Sequence, residues 1–248
     1  MSDLATKRVL LVGVGGLGAP AAIVLARAGV GTIGIADADA VELSNLHRQI
    51  LFEDADVGSP KVDAARDAIP RWAGDARPFV VVHRTRLLPD NARQIVREYD
   101  LVVEGSDNFA TKFMTADACA LERVAVVHGS AVRWHGTAFA VAATGGPCYR
   151  CLFEDIPHEH APSCAEAGVM GPVVGIVAAL QADLALRLLV GEPVAGDLIT
   201  FDGKTDVHRR HRVARRDDCP LCGTARIQTR IRTVDAARYA APSCDVSV

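Results

Sequence analysis

The sequence predicts an α/β fold: a mostly parallel, twisted sheet flanked by helices, continued by antiparallel strands and a four-cysteine knuckle. Three observations predict it. An apolar run from Arg8 to Val14 passes into Gly13-Val14-Gly15-Gly16-Leu17-Gly18 and then an Ala-rich segment, the strand–loop–helix pattern of a Rossmann-like unit. Further short apolar runs alternate with helically spaced segments, as strands buried on both faces do. After Gly129 the spacing tightens, and two Cys-x-x-Cys pairs follow, Cys148-Cys151 and Cys219-Cys222.

Taken in order, Arg8 to Val14 is the first strand and a helix runs from about Ala19 to Ala28, ended by Gly29 and Gly31. Thr32 to Ala36 is the second strand, closed by Asp37. Lys61 to Ile69 reads as helix, Phe79 to His83 as strand and Asn91 to Glu98 as helix. Leu101 to Glu104 is a buried strand ending at Gly105-Ser106-Asp107-Asn108; Thr111 to Leu121 is a helix and Val124 to His128 a strand. Ala131 to Val141 suggests antiparallel strands. Residues 153–168 carry Pro157, Pro162, acids and histidines and read as a long exposed loop. Gly171 to Val190 is a helix whose Gln181, Asp183 and Arg187 argue against a membrane span. Leu198 to Phe201 and Val207 to Val213 are strands.

The chain has 248 residues, half of them apolar, enough for a sizeable core. It reads as one domain over 1–223, with a nucleotide-binding half at about 1–130 and a second half at about 131–223. Residues 224–248 lack periodicity and are expected to form a poorly ordered tail. A net charge of −3 argues against nucleic acid or an anionic membrane as partner. The N-terminus has no signal-peptide architecture, so a cytoplasmic protein is expected. In that compartment seven cysteines point to metal and catalysis before disulfides.

Cys148, Cys151, Cys219 and Cys222 supply four thiolates, a tetrahedral structural zinc site with no open position. Cys119, Cys164 and Cys244 remain. Gly13, Gly15, Gly16 and Gly18 let the backbone approach phosphates at a helix N-terminus, where free N–H groups favour anions. Asp37 is placed to accept from ribose hydroxyls, its plainer use being a turn carboxylate. Arg48 and Lys61 follow. Taken singly, such residues are ordinary solvated cations. As a pair beyond the ribose acid they suit a triphosphate better than a hydride donor, because nucleotidyl transfer needs phosphate charge neutralised. Cys164 lies in Ser163-Cys164-Ala165-Glu166-Ala167-Gly168, just before a helix, where a thiol has a lowered pKa and is a better nucleophile; a spare loop cysteine is the alternative. Cys119 has core spacing and Cys244 sits in the tail. His158 and His160 flank Glu159 in what reads as a solvated loop, and His208-Arg209-Arg210-His211-Arg212 reads as a strand with a solvated face.

The order of these motifs, with Asp37 to Gln49, Gly58-Ser59-Pro60-Lys61-Val62, Ser106-Asp107-Asn108, Cys148-Tyr149-Arg150-Cys151 and Ala167-Gly168-Val169-Met170-Gly171-Pro172, resembles the ThiF/MoeB/HesA family. These are relatives of ubiquitin-activating enzymes that adenylate sulfur-carrier proteins, and the resemblance covers about residues 7–223. It implies that Gly16, Asp37, Asn45, Arg48, Lys61, Asp107 and Asn108 hold Mg-ATP, with Asp107 as the Mg²⁺ ligand. It implies zinc at the paired cysteines, and a thioester or persulfide link between Cys164 and the carrier. The expected substrate is a small ubiquitin-like sulfur carrier ending in Gly-Gly. Its C-terminal carboxylate is adenylated on the way to a thiocarboxylate for thiamine, molybdopterin or related sulfur transfer. A separate sulfur-donor protein and a homodimer are also expected. The alternatives are activation of a non-protein carboxylate or amide, as in tRNA threonylcarbamoyladenosine dehydratases, an NAD-dependent oxidoreductase, and a non-catalytic scaffold. Seven residues precede Arg8, whereas most family members carry a longer segment with an arginine that reaches the neighbouring subunit's ATP. The expectation is that another cation replaces it, that adenylation is slower, or that the chain start is misassigned.

Overall fold

The computed structural model describes residues 4–157, 168–225 and 230–239. The apolar runs form β1 (Arg8–Val12), β2 (Thr32–Ala36), β3 (Phe79–His83), β4 (Leu101–Glu104) and β5 (Ala125–Val132). These lie parallel in the order β3-β2-β1-β4-β5. β6 (His135–Val141), β7 (Asp197–Asp202) and β8 (Val207–Arg212) extend the sheet antiparallel. Successive side chains of a strand point to opposite faces, so Val9 and Leu11 enter one core and Leu10 and Val12 the other. The first core packs on α1 (Gly18–Arg27) and α2 (Lys61–Trp72). The second packs on α3 (Ala92–Val96), α4 (Phe109–Glu122) and α5 (Tyr149–Leu152), which carries Cys151 and is N-capped by Cys148. The predicted fold is therefore the observed one.

The strand order reverses between β1 and β4, so their connections leave in opposite directions. A crevice opens there at the carboxyl ends of the strands, the usual ligand position in such sheets. The β1–α1 loop and the β4–α4 loop face each other across it: an added Cβ on Gly13 would lie 3.6 Å from Gly105 O.

Several boundaries differ from the sequence reading. β1 stops at Val12 because Gly13 adopts φ +83°, leaving strand geometry. α2 continues through Pro70 to Trp72, although the residue before a proline disfavours helix. β5 is one eight-residue strand rather than two shorter ones. Its first half pairs with β4, and Val126 to Val132 pair with β6 around a turn at Arg133 with φ +53°.

α6 (Gly171–Leu189) is long and apolar enough to cross a membrane. Here it packs on β5 and β6 and against α1, with Val173, Val177, Ala182 and Leu184 buried. Its buried Gln181 donates to Glu104 O at 2.9 Å and Val127 O at 3.2 Å, so the polar interruption seen in the sequence is a tie to the sheet. In the tail, α7 (Ala236–Tyr239) ends in a buried Tyr239, whose hydroxyl donates to Asp117 Oδ2 at 2.7 Å.

Candidate functional site

A cavity of about 490 Å³ occupies the crevice. Gly13, Gly15, Gly16, Asp37, Asn45, Arg48, Lys61, Asp107 and Asn108 all line it. Gly18 does not: it is buried, and a Cβ there would lie 2.0 Å from Gly13 O. That glycine lets α1 pack against its own loop.

Each wall follows from local structure. Gly13 N–H donates to Ala36 O at 2.9 Å, and Asp37 Oδ2 accepts Val14 N–H at 2.9 Å. Asp37 Oδ1 accepts Asp39 N–H at 2.8 Å, so this carboxylate ties two loops while still lining the cavity. Asn45 Oδ1 accepts Arg48 Nη2 at 2.6 Å, and its Nδ2 donates to Glu42 Oε2 at 3.2 Å. Arg48 is thereby aimed by its own turn. Lys61 opens α2 and is buried; its Nζ lies 3.2 Å from Asp39 Oδ2. Arg86 Nη2 reaches the other oxygen of Asp39 at 2.8 Å. Burial works to raise the pKa of Asp39, but Arg86 and Lys61 outweigh it and hold the carboxyl below its usual value. The result is a cation pair held at the cavity by one ionised acid.

On the opposite wall Asp107 is exposed and Asn108 caps α4, accepting Thr111 N–H at 2.8 Å. Beneath them the buried Glu104 gathers donors: Ser106 N–H at 2.8 Å, the Ser106 hydroxyl, Lys112 Nζ at 2.8 Å and His128 Nδ1 at 3.3 Å. Lys112 also donates to Gly129 O at 2.6 Å. Burial would raise the pKa of Glu104, but Lys112 and His128 bring it down to about 2. Arg86, Lys112, Glu104 and His128 were not legible as site residues. Arg86 carries no motif, and the other three meet only because β4 pairs with β5 and α4 returns over them.

The family profile described as ThiF family matches residues 1–221. The chain belongs to the ThiF family. Among curated relatives, the adenylyltransferase and sulfurtransferase MOCS3 of Culex quinquefasciatus is 42% identical over 218 residues, covering 86% of this chain and 49% of that protein. The sulfur carrier protein adenylyltransferase of Thermus thermophilus is 41% identical over 223 residues, covering 87% and 82%. The chain thus spans about half the length of the MOCS3 relatives it matches. Among solved structures, E. coli MccB with ATP superposes with a TM-score of 0.76 at 20% identity, covering 89% of this chain and 68% of that one, a likeness of fold.

In this ThiF-family chain the knuckles meet as the spacing requires. The sulfurs of Cys148, Cys151, Cys219 and Cys222 all lie within 4.8 Å of one another. The separations Cys148–Cys219 and Cys151–Cys222 are 3.5 and 3.4 Å, and Cys148–Cys151 is 3.9 Å. A tetrahedron with Zn–S bonds of about 2.3 Å puts sulfurs about 3.8 Å apart, so the four fit zinc. The crowding pushes the Cys148 thiol up, through Cys219 and Cys222 first and burial after them, a cost that a divalent cation removes. The other motifs resolve plainly. Cys119 is buried and its thiol is pushed up by burial, as a core cysteine. Arg210 and Arg212 pair with Asp197, and Arg216 with Glu154 and Asp218, so part of the basic run is paired within the fold. Cys164, His158, Glu159, His160 and Cys244 lie outside the described residues.

Proposed function

We propose that the chain catalyses ATP-dependent adenylation of the C-terminal glycine carboxylate of a ubiquitin-like sulfur carrier, leading to a thiocarboxylate. The observation that carries this reading is the gathering, in one cavity, of the glycine loop, the acid after β2, the cations Arg48 and Lys61, and Asp107. In the reaction a carboxylate oxygen attacks the α-phosphorus, the bond to the β-phosphate bridging oxygen breaks, and pyrophosphate leaves. The attacking group is already ionised, so no base is required. Charge accumulates on phosphate oxygens, and fixed cations stabilise it without reorganising. Arg48 and Lys61 take that role, with Arg86 at the cavity as a third cation. Asp37 holds the ribose and Asp107 the magnesium, with Asn108 beside it. Bound Mg²⁺ would supply further neutralisation of the triphosphate. Zinc is assigned to structure, since four thiolates leave no open position.

The reading extends to a single adenylation domain over 1–223, a cytoplasmic setting, a separate sulfur donor, and a homodimer that would cover exposed apolar residues such as Leu43, Ile50 and Ile176. Cys164 is assigned to the step after adenylation, because attack on phosphorus needs cations and positioning rather than a thiol. The test is intact-mass detection of carrier thiocarboxylate formed with ATP, Mg²⁺ and a sulfur source. Cys164→Ala is expected to reduce that product several-fold while leaving pyrophosphate exchange nearly intact. Loss of exchange in the same variant would show that the thiol serves ATP or carrier binding. Tight NADH binding without ATP binding would overturn the whole reading.

A further inference from the structure

An ionised carboxylate on the wall of a cavity that takes a triphosphate repels the incoming ligand. Asp39 is such a group. It lines the crevice with its side chain 46% exposed. Burial raises its pKa, yet Arg86 and Lys61 hold it ionised. The side chain is not what fixes the loop, because the main chain of the same residue is already tied. Asp39 N–H donates to Asp37 Oδ1 at 2.8 Å, and Asp39 O accepts Lys61 N–H at 2.9 Å.

What the side chain does hold is two cations. Lys61 Nζ meets Oδ2 at 3.2 Å and Arg86 Nη2 meets Oδ1 at 2.8 Å. Among the described residues, this carboxylate is the one ion-pair partner of each. Lys61 is confined by burial as well, with its side chain 7% exposed. Arg86 is different: its side chain is 71% exposed, although its main chain is fixed. Arg84 donates to Asp63 Oδ1 at 2.6 Å and Oδ2 at 3.2 Å, and Asn91 Nδ2 donates to Arg86 O at 3.1 Å. A long, exposed arginine with a fixed root takes its direction from its partner, here Asp39. The pKa of the guanidinium is raised by Asp39 first and, against burial, by Asp37 and Asp107, the acids of the two crevice walls. The contact with Asp39 therefore aims Arg86 into the crevice.

We propose that Asp39 is a positioning residue for nucleotidyl transfer: it fixes Lys61 and Arg86 as one rigid pair for the charge that develops on phosphate oxygens, and it weakens ATP binding in doing so. The inference rests on the adenylation reading. The trio of two cations and one acid carries one net positive charge. Without the acid the charge doubles and draws a polyanion more strongly, but the two cations repel each other and Arg86 loses its direction. Ground-state binding responds to the net charge. The transition state gains most from cations that need not reorganise. One carboxylate thus acts in opposite senses on affinity and on turnover.

The experiment compares wild type, Asp39→Asn and Asp39→Glu in two measurements. One is equilibrium binding of ATP by calorimetry. The other is turnover in ATP–pyrophosphate exchange with Mg²⁺ and a ubiquitin-like sulfur carrier ending in Gly-Gly. Asp39→Asn keeps the shape and removes the charge. It is expected to tighten ATP binding about threefold, the scale of one exposed charge interaction. It is expected to lower turnover about tenfold, less than the loss of a whole preorganised group because both cations remain. Asp39→Glu restores the charge on a longer arm, so ATP affinity should return to the wild-type value while turnover recovers only in part. Wild-type turnover in Asp39→Asn would show that the cations are held without the acid and would overturn the proposal. Reduced turnover with ATP bound no more tightly would make Asp39 a structural residue and overturn it equally. Both results leave the adenylation reading standing, provided that the wild type exchanges. A wild type that binds no ATP, or that exchanges without a carrier, would remove that reading and this proposal with it.

Discussion

Glu104 shows how much of the site is decided by single buried side chains. Its carboxylate is fully enclosed and accepts from Ser106, Lys112 and His128. Removing the charge leaves Lys112 buried with a weaker partner, so Glu104→Gln should cost about 3 kcal/mol in urea unfolding. The pH dependence has a defined sign. A carboxyl with a depressed folded pKa stabilises fully above its unfolded value of 4.5 and loses that contribution as pH falls towards about 2. Wild-type stability should therefore decline across that window by a component that Glu104→Gln lacks. Equal pH profiles for the two proteins would contradict the assignment. Legibility in the sequence was uneven at this scale. Asp37, Arg48, Lys61 and Asp107 could be read because each sits at a strand end or in a motif. The Glu104–Lys112–His128 cluster could not, since 24 residues separate Glu104 from His128, strand pairing joins those two, and Lys112 reaches them from α4. At Gly18, read as part of the phosphate loop, the lack of a side chain also lets α1 pack on Gly13 O.

Among the elements, α4 connects stability to the site. Its N-cap, Asn108, adopts extended φ/ψ of −130° and 145° and accepts Thr111 N–H. The same residue lines the cavity. Ncap replacement typically costs about 1 kcal/mol, so Asn108→Ala should lower stability by that amount, and Asn108→Asp should restore most of it in thermal unfolding. No change with alanine would mean that the cap is dispensable. The sequence reading began this helix at Thr111, two residues late, because Phe109 and Ala110 carry no start signal by themselves. The β5 boundary was missed for a related reason. Gly129 and Ser130 look like a break, yet both pair with β6, opposite Ala138 and Thr137. Tertiary pairing overrode local propensity.

Across the whole molecule, the four-cysteine knuckle and the tail lock the second half against α4. Arg150, between the first two cysteines, donates to both oxygens of buried Asp117 at 2.8 and 2.9 Å, and Tyr239 completes that carboxylate's partners. Ile231 N–H donates to Pro220 O at 2.9 Å beside the second knuckle. Zinc held by four such thiolates would contribute directly to folding. Cys148→Ser should lower zinc content and melting temperature together; normal thermal stability in zinc-free protein would contradict a structural metal. Spacing alone made the four cysteines legible, but not the tail's contacts, which depend on where the sheet places α4. The central claim is that one cavity performs nucleotidyl transfer to a protein carboxylate. Its most direct test is exchange of labelled pyrophosphate into ATP in the presence of Mg²⁺ and a Gly-Gly sulfur carrier. The account predicts exchange only when both are present, and its loss, about a hundredfold or more by the scale of removing one preorganised electrostatic group, in Asp107→Ala. Full exchange in Asp107→Ala, or exchange without any carrier, would contradict it.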